Sequence, residues 1–562
     1  MLSCKTRSYK YNLSVKQKTK QSSLSTIINI TILNSLIITP FFNKDGMIIP
    51  KLMVMFSLSL YLLPILFSYK TRIFSSKTLK LAVVLQLLIL LDSLVVMIMS
   101  SAPIEQQIFG RTGRGLGLIT IFSMAVIFIA SAVMFEDSLK HKILFGLILS
   151  AFISSFYSIL QSYGIDLLKW ESKTNGVIGT LGNPNFQSAF AAMVLVPTFI
   201  YFSIIHKRFY VALTVFLFFC FTIYRTESTQ GYIAGFFSIA IALLIYVWYR
   251  SKLLFIPILI AGATSAFFAV TGMLNYGPLS SYLYKVSVQS RGDFWRSAFN
   301  TANAHPFFGV GIETFGDYSL KYRDLVIENR SIEYTDNAHN FFLEHAATGG
   351  YPFAVLNFTL VILTFSAFLR YQIVVKKFEP VMTSLFSAFI AFQMTSVISP
   401  GNLVTMHWNM VISGTIIGLA STIKLSENSK SSFVVTQQRK FRLISIILAF
   451  SGFMFVLPLF NTDRIQLIGM KRGDASLVMK ATFSFPESTV RYSLIGRELY
   501  NSGLLQQSLE VARSGVEFNP NSPSMWALIL VNQNATPEER LNAKNKILIL
   551  DPLNKAVKNF NP

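Results

Sequence analysis

The chain has 562 residues, of which 52% are apolar and only 14% charged, with a mean hydropathy of +0.50. An average soluble domain carries roughly 25% charged residues, so the composition excludes a soluble globular enzyme, a disordered chain and a fibrous one. The formal net charge of +22 does not point to nucleic acid, because the basic residues mostly occupy short gaps between apolar runs instead of one soluble face.

A bilayer core of about 30 Å needs roughly 20 helical residues. After a basic tail over 1–23, thirteen apolar runs of about that length follow, at 24–42, 52–69, 81–100, 115–135, 143–161, 186–205, 209–224, 231–249, 253–273, 350–369, 380–399, 402–422 and 442–460. They predict an all-α polytopic membrane protein with about 12–13 transmembrane helices. Spans one to nine fill 24–273, and spans ten to thirteen fill 350–460. Between them lies a loop over 274–349, and a polar tail over 461–562 closes the chain. The first 20 residues are polar and basic, which predicts no cleavable signal. With the N-terminus in the cytoplasm, the inside gaps hold 24 Lys and Arg and the short outside gaps 7. That bias orients the chain and puts both the long loop and the tail outside the cytoplasm. Cys4 and Cys220 are too few for a disulfide framework or a usual zinc site.

Along the chain, four segments carry chemistry. Phe109-Gly110-Arg111-Thr112-Gly113-Arg114-Gly115 puts two arginines on an outside gap. Leu181-Gly182-Asn183-Pro184-Asn185-Phe186 reads as a turn re-entering the membrane, with a structural or a substrate-lining role. Arg225 ends the seventh span. The long loop holds Arg291-Gly292-Asp293-Phe294-Trp295, His305-Pro306-Phe307-Phe308-Gly309-Val310-Gly311 and Asp336-Asn337-Ala338-His339-Asn340-Phe341-Phe342-Leu343-Glu344. A loop of this length is functional or disordered, and its aromatics argue against disorder. Gly309-Val310-Gly311 lacks the third glycine and the βαβ context of a dinucleotide fingerprint.

These three loop motifs in this order, ahead of Gly349-Gly350, resemble the signature of the O-antigen ligase and polymerase superfamily, over roughly residues 100–420. The resemblance implies a membrane glycosyltransferase acting on the outer face of the cytoplasmic (inner) membrane. It would move a glycan from a polyprenyl (undecaprenyl) diphosphate carrier to an acceptor hydroxyl. His339 would be the catalytic base, and Arg225 and Arg291 the arginines held against the diphosphate. Arg111 and Arg114 are further candidates, because a planar guanidinium fork suits phosphate oxygens. Asp336, Asn337, Asn340, Glu344, Trp295 and His305 would support the site, with no metal and no cofactor.

Read without the family, Asp336 to Ala347 predicts a short helix capped by Thr335 or Asp336 and stopped at Gly349-Gly350. His339 then falls in its first turn, where the helix dipole keeps the imidazole neutral. The bland alternative is a His339 that only caps or packs. For the arginines it is an interfacial snorkelling role. His339 and His345 lie six apart and share no helix face, so they make no metal pair.

Prolines at 486, 520 and 552, spaced 34 and 32 apart with amphipathic segments between, resemble two tetratricopeptide-like repeats, the alternative being a plain helical hairpin. Two repeats are few for independent stability, so the tail is expected to pack on the long loop or on a protein partner. Three acceptor choices stay open: a ligase to a lipid or cell wall, a polymerase to another glycan chain, and a protein O-oligosaccharyltransferase. From other classes, a polysaccharide flippase would use intramembrane groups such as Asp92, and a membrane anchor would use none of these residues. Only Asp92 and His407 are ionisable deep in the spans, fewer than a coupled transporter usually shows.

Overall fold

The computed structural model describes residues 24–168, 177–273, 276–283, 286–324, 334–422 and 438–561. It is all-helical, with no strand among the described residues. Each of the thirteen apolar runs forms a helix. Nine described helices are long and apolar enough to cross a membrane. Leu24–Leu36, Leu118–Val133 and Phe209–Arg225 are shorter apolar helices, and Pro380–Ser396 completes the set. A 16-residue helix such as Leu118–Val133 rises only about 24 Å. It is buried along nearly its whole length, so neighbouring protein and not lipid surrounds its ends.

The centre of the bundle is Leu403–Thr422, whose apolar window is 94% buried. It packs on Leu118–Val133 through Gly414 and Gly418, four residues apart. A Cβ on Gly414 would stand 2.5 Å from the Phe128 carbonyl oxygen, and one on Gly418 2.6 Å from that of Ala132. Two helices in lipid gain little from the hydrophobic effect, so such close backbone approach supplies the packing energy. His407, on the same helix, is buried between Thr31 (Oγ1 3.1 Å) and Asn34 (Nδ2 3.0 Å), which gives it a structural role.

Two sequence expectations shift. The last apolar helix does not stop near residue 460 but runs from Gln438 to Arg472, so the first stretch of the polar tail continues it. The expected helix over Asp336–Ala347 starts only at Phe341, and it runs on to Val375 with a break at Gly350 (φ +79°). Asn340 caps Phe342 and Leu343 with its own side chain, and Glu344 takes the Ala338 amide. These side chains compete for the amides that an earlier helix start would leave open. His339 therefore precedes the N-cap and sits outside the first turn.

Beyond the bundle, the long loop supplies the helices Val286–Ala304 and Phe315–Tyr318. The tail forms two successive helix pairs, Thr489–Asn501 with Leu505–Phe518 and Pro523–Val531 with Pro537–Leu550. They share a core of their own that includes Tyr492, Leu509, Met525 and Ile547.

Candidate functional site

Several expected residues converge on one cavity of about 380 Å³. Its wall includes Asp45, Arg114, Asn183, Asn185, Asp336 and His339. They come from four loops far apart in sequence, all at the end of the bundle that bears the long loop and the tail.

His339 is built by its neighbours. Its φ is +51°, a conformation that costs a non-glycine residue of order 1 kcal/mol or more. The Asn337 side chain accepts from the His339 amide at 2.8 Å, an Asx turn that holds the strained backbone. The Trp295 indole donates to the His339 carbonyl at 3.4 Å, and the Phe294 ring stacks on the imidazole with centroids 5.6 Å apart. Nδ1 of His339 is buried without a hydrogen-bond partner. Burial, then the positive charges of Arg114 and Arg291, against the opposing pull of Asp336, push its pKa down to about 4. Burial and the two arginines thus favour the neutral imidazole.

The arginine loop is wired with equal care. Gly113 stands at φ +86° and its amide donates to Asp45 Oδ2 at 3.1 Å. Arg114 grips Asp336 with two bonds, Nε to Oδ2 at 3.0 Å and Nη2 to Oδ1 at 2.6 Å. Arg111 lies deeper. Its amide donates to Glu313 (3.1 Å), its Nη2 to the Tyr334 hydroxyl (2.7 Å), and its Nη1 pairs with Asp317 at 3.6 Å. Burial opposes its charge, but Tyr334, Asp317, Asp336 and Glu313 together raise its pKa. Arg111 is thus a compensated structural cation behind Arg114.

Arg291 differs. It lies on Val286–Ala304, close enough to depress the His339 pKa, and among the described residues it pairs with no carboxylate. Like Arg225, it does not itself line the cavity. The Arg225 guanidinium lies on Ser162, with Nε 3.1 Å from Oγ and Nη2 2.5 Å from the carbonyl oxygen, and over the Tyr163 ring. Its neighbour Ser228 reaches the wall by donating to Asn185 at 2.7 Å.

Asn340, Glu344 and His305 pack around the cavity without lining it. Asn340 is the N-cap, and Glu344 is buried beneath Ala338. His305 bonds the Tyr322 hydroxyl at 2.9 Å. The turn at Gly309 and Gly311 locks onto the helix start through Val310 and Gly311 amides on the Ala347 and Thr348 carbonyls. A Cβ at Gly309 would sit 2.3 Å from the Thr348 backbone. The 181–186 turn lines the cavity: Asn183 caps the helix starting at Pro184. His345 packs between Phe341 and Phe353. Among the described residues no three His, Cys, Asp or Glu side chains group as metal ligands would.

Sequence reading missed Asp45, Glu313, Asp317 and Tyr334. Asp45 is a single acid on a short loop, and burial and nearby Asp463 raise its pKa to about 6 against the donors Ile48 and Gly113. Only the fold brings it beside Arg114. The tail was expected to dock, and it does so on the site's supports. Thr489 donates to Gln106 at 2.8 Å, Asn519 to Asp317 at 2.9 Å and Asn521 to Tyr318 at 2.9 Å, and Arg323 pairs with Asp551 at 2.6 Å.

Residues 213–358 match the O-antigen ligase family. The match spans about a quarter of the chain and takes in Arg225, Arg291 and His339, but not the Arg111–Arg114 loop or the tail. It supports a membrane enzyme of the O-antigen ligase or polymerase type, acting with a lipid-linked glycan and in contact with membrane lipids. No curated protein matches the chain.

Proposed function

We propose that this protein transfers a glycan from a polyprenyl diphosphate carrier to an acceptor hydroxyl at the outer face of the cytoplasmic membrane. The observation that carries the reading is His339 on the wall of a cavity it shares with Arg114, with the charges of both Arg114 and Arg291 bearing on its imidazole.

The carrier diphosphate is a good leaving group that gains charge as the glycosidic bond breaks. Arg291, which meets no competing carboxylate among the described residues, receives that charge, and Arg114 joins it where its pairing with Asp336 allows. Fixed positive charge aimed at the developing anion lowers the barrier. His339 accepts the proton of the acceptor hydroxyl as its oxygen attacks the anomeric carbon from the face opposite the departing diphosphate. The anomeric centre inverts, the proton rests on His339, and the carrier leaves as its diphosphate. No nucleotide sugar and no metal enters this sequence.

The depressed basicity of His339 belongs to the same device. Burial disfavours a proton on the imidazole first, and Arg114 and Arg291 add their repulsion. A bound diphosphate offsets the two charges while burial remains, so the pKa rises by the arginines' share alone. The base becomes stronger only when the donor is present.

His339→Ala is expected to abolish transfer from a purified carrier-linked glycan while membrane insertion is unchanged. General-base action is worth roughly 10²–10⁴-fold. Transfer by that variant at the wild-type rate would overturn the mechanism. The acceptor class follows from supplying one donor with a lipid, a glycan-carrier or a Ser/Thr peptide acceptor in turn. The tail reads as two tetratricopeptide-like repeats that steady the loop.

A further inference from the structure

A second cavity lies at the other end of the molecule. Thr229–Arg250 begins beside Ser228, at the edge of the His339 cavity, and its 22 residues rise about 33 Å to the opposite end. There it forms one side of a groove of about 730 Å³. Lys252–Met273 stands off the bundle, with none of its apolar window buried, and forms the outer wall. The inner wall comes from the far end of Phe341–Val375, where Phe368 stacks face to face on buried Phe386 at 3.6 Å. The proposed glycan chemistry makes no use of this groove.

Three polar features gather at its mouth. Lys252 lies over the Trp248 ring at 5.7 Å, and Lys376 follows the last turn in a left-handed conformation at φ +52°. No carboxylate lines the groove, and neither lysine is paired with one among the described residues. The Tyr249 hydroxyl donates to the Gln372 backbone carbonyl at 3.1 Å and lies 3.2 Å from its side-chain oxygen, while the side-chain Nε2 is buried with no partner among the described residues. Two ammonium groups and a buried N–H₂ are thus donors without acceptors among the described residues, set beside a slot of aromatic and aliphatic side chains. Trp248 and Tyr249 lie in the last turn of the apolar helix Thr229–Arg250, and amphipathic rings at the ends of spans meet lipid headgroups.

We propose that this groove is a binding site for an anionic glycerophospholipid. The acyl chains lie along Phe255, Leu259, Phe365 and Phe368, the phosphate meets Lys252 and Lys376, and an ester carbonyl accepts from Gln372. Basic pockets between transmembrane helices suit such headgroups because the phosphate neutralises charge that lipid tails cannot solvate. The site lies at the membrane face opposite the His339 cavity and needs nothing from the glycan reaction.

Native mass spectrometry of the full-length protein in detergent tests this, with phosphatidylglycerol, phosphatidylcholine and polyprenyl phosphate as probes. Phosphatidylglycerol is expected to be retained in preference to phosphatidylcholine. The Lys252→Gln, Lys376→Gln double variant should lose that preference by roughly tenfold. Gln372→Leu, which keeps the helix packing volume, should weaken retention in a protein that elutes as the wild type does. Equal retention of the two phospholipids, or an unchanged double variant, overturns the proposal. Displacement of phosphatidylglycerol by polyprenyl phosphate overturns it too, since the occupant would then be a carrier lipid.

Discussion

At the scale of single residues, the site sets paired arginines, and one that meets no carboxylate among the described residues, around a histidine. Arg111 and Arg114 are held by Asp317, Glu313 and Asp336, whereas Arg291 and the Nδ1 of His339 are not so occupied. The pH dependence follows from this. A base acts only when unprotonated, so activity falls as pH drops through its pKa. kcat/KM reports the free enzyme and kcat the donor complex. The acid limb of kcat/KM is therefore expected near pH 4, where burial, Arg114 and Arg291 hold His339. The acid limb of kcat should lie higher, because the bound diphosphate relieves the arginines' repulsion. In Arg291→Gln one repelling charge is gone, so its kcat/KM limb should move up while KM for the donor rises. Initial-rate pH profiles of both proteins check this, and limbs that coincide in the wild type would refute donor-induced strengthening of the base.

At the scale of elements, the tail is a brace. Asn519 on the turn after Leu505–Phe518 is buried, and its Nδ2 donates to both Asp317 (2.9 Å) and Thr489 (3.0 Å). Asp317 in turn pairs with Arg111, which adjoins the Arg114 loop. Removing the donor leaves a buried carboxyl short of a partner, at a cost of roughly 1–3 kcal/mol. Asn519→Ala is expected to raise donor KM several-fold with a smaller change in kcat, and to expose the 486–489 junction to protease. The tail itself should stay folded, since its core from Tyr492 to Ile547 does not include Asn519. Unchanged KM and unchanged cleavage would mean that the tail merely rests on the loop.

At the scale of the whole molecule, the two ends of the bundle are chemically unlike. One end carries the His339 cavity, the long loop and the tail. The other carries the basic gaps around Lys140, Arg250, Lys252 and Lys376. The excess of Lys and Arg predicts that the second end faces the cytoplasm. In a cysteine-free background, Asn501→Cys should react with a membrane-impermeant thiol reagent on intact cells, and Lys377→Cys only after permeabilisation. Both positions are exposed. Labelling of the two from the same side would contradict the orientation and, with it, an outer-face transferase.

The sequence by itself determined the all-helical membrane class and the thirteen helices, because a bilayer demands about 20 apolar residues per crossing and local composition reports that directly. His339 and Asp336 were marked in the sequence by the resemblance of their motif and Arg114 by its guanidinium chemistry, and the fold brings the three to one cavity. The start of the helix after Asn340 was a closer matter: Asn and Asp both cap well, and the choice fell to Glu344 reaching back to Ala338. What only the tertiary structure decided is which charges cancel. Arg225, Arg111, Arg114 and Arg291 look alike along the chain, yet one lies on Ser162, two are matched by acids, and one meets no carboxylate among the described residues. Asp45 and Asn519 reach the site across hundreds of residues of chain. Coulomb energies and hydrogen bonds depend on distance in space, which no local pattern of residues encodes.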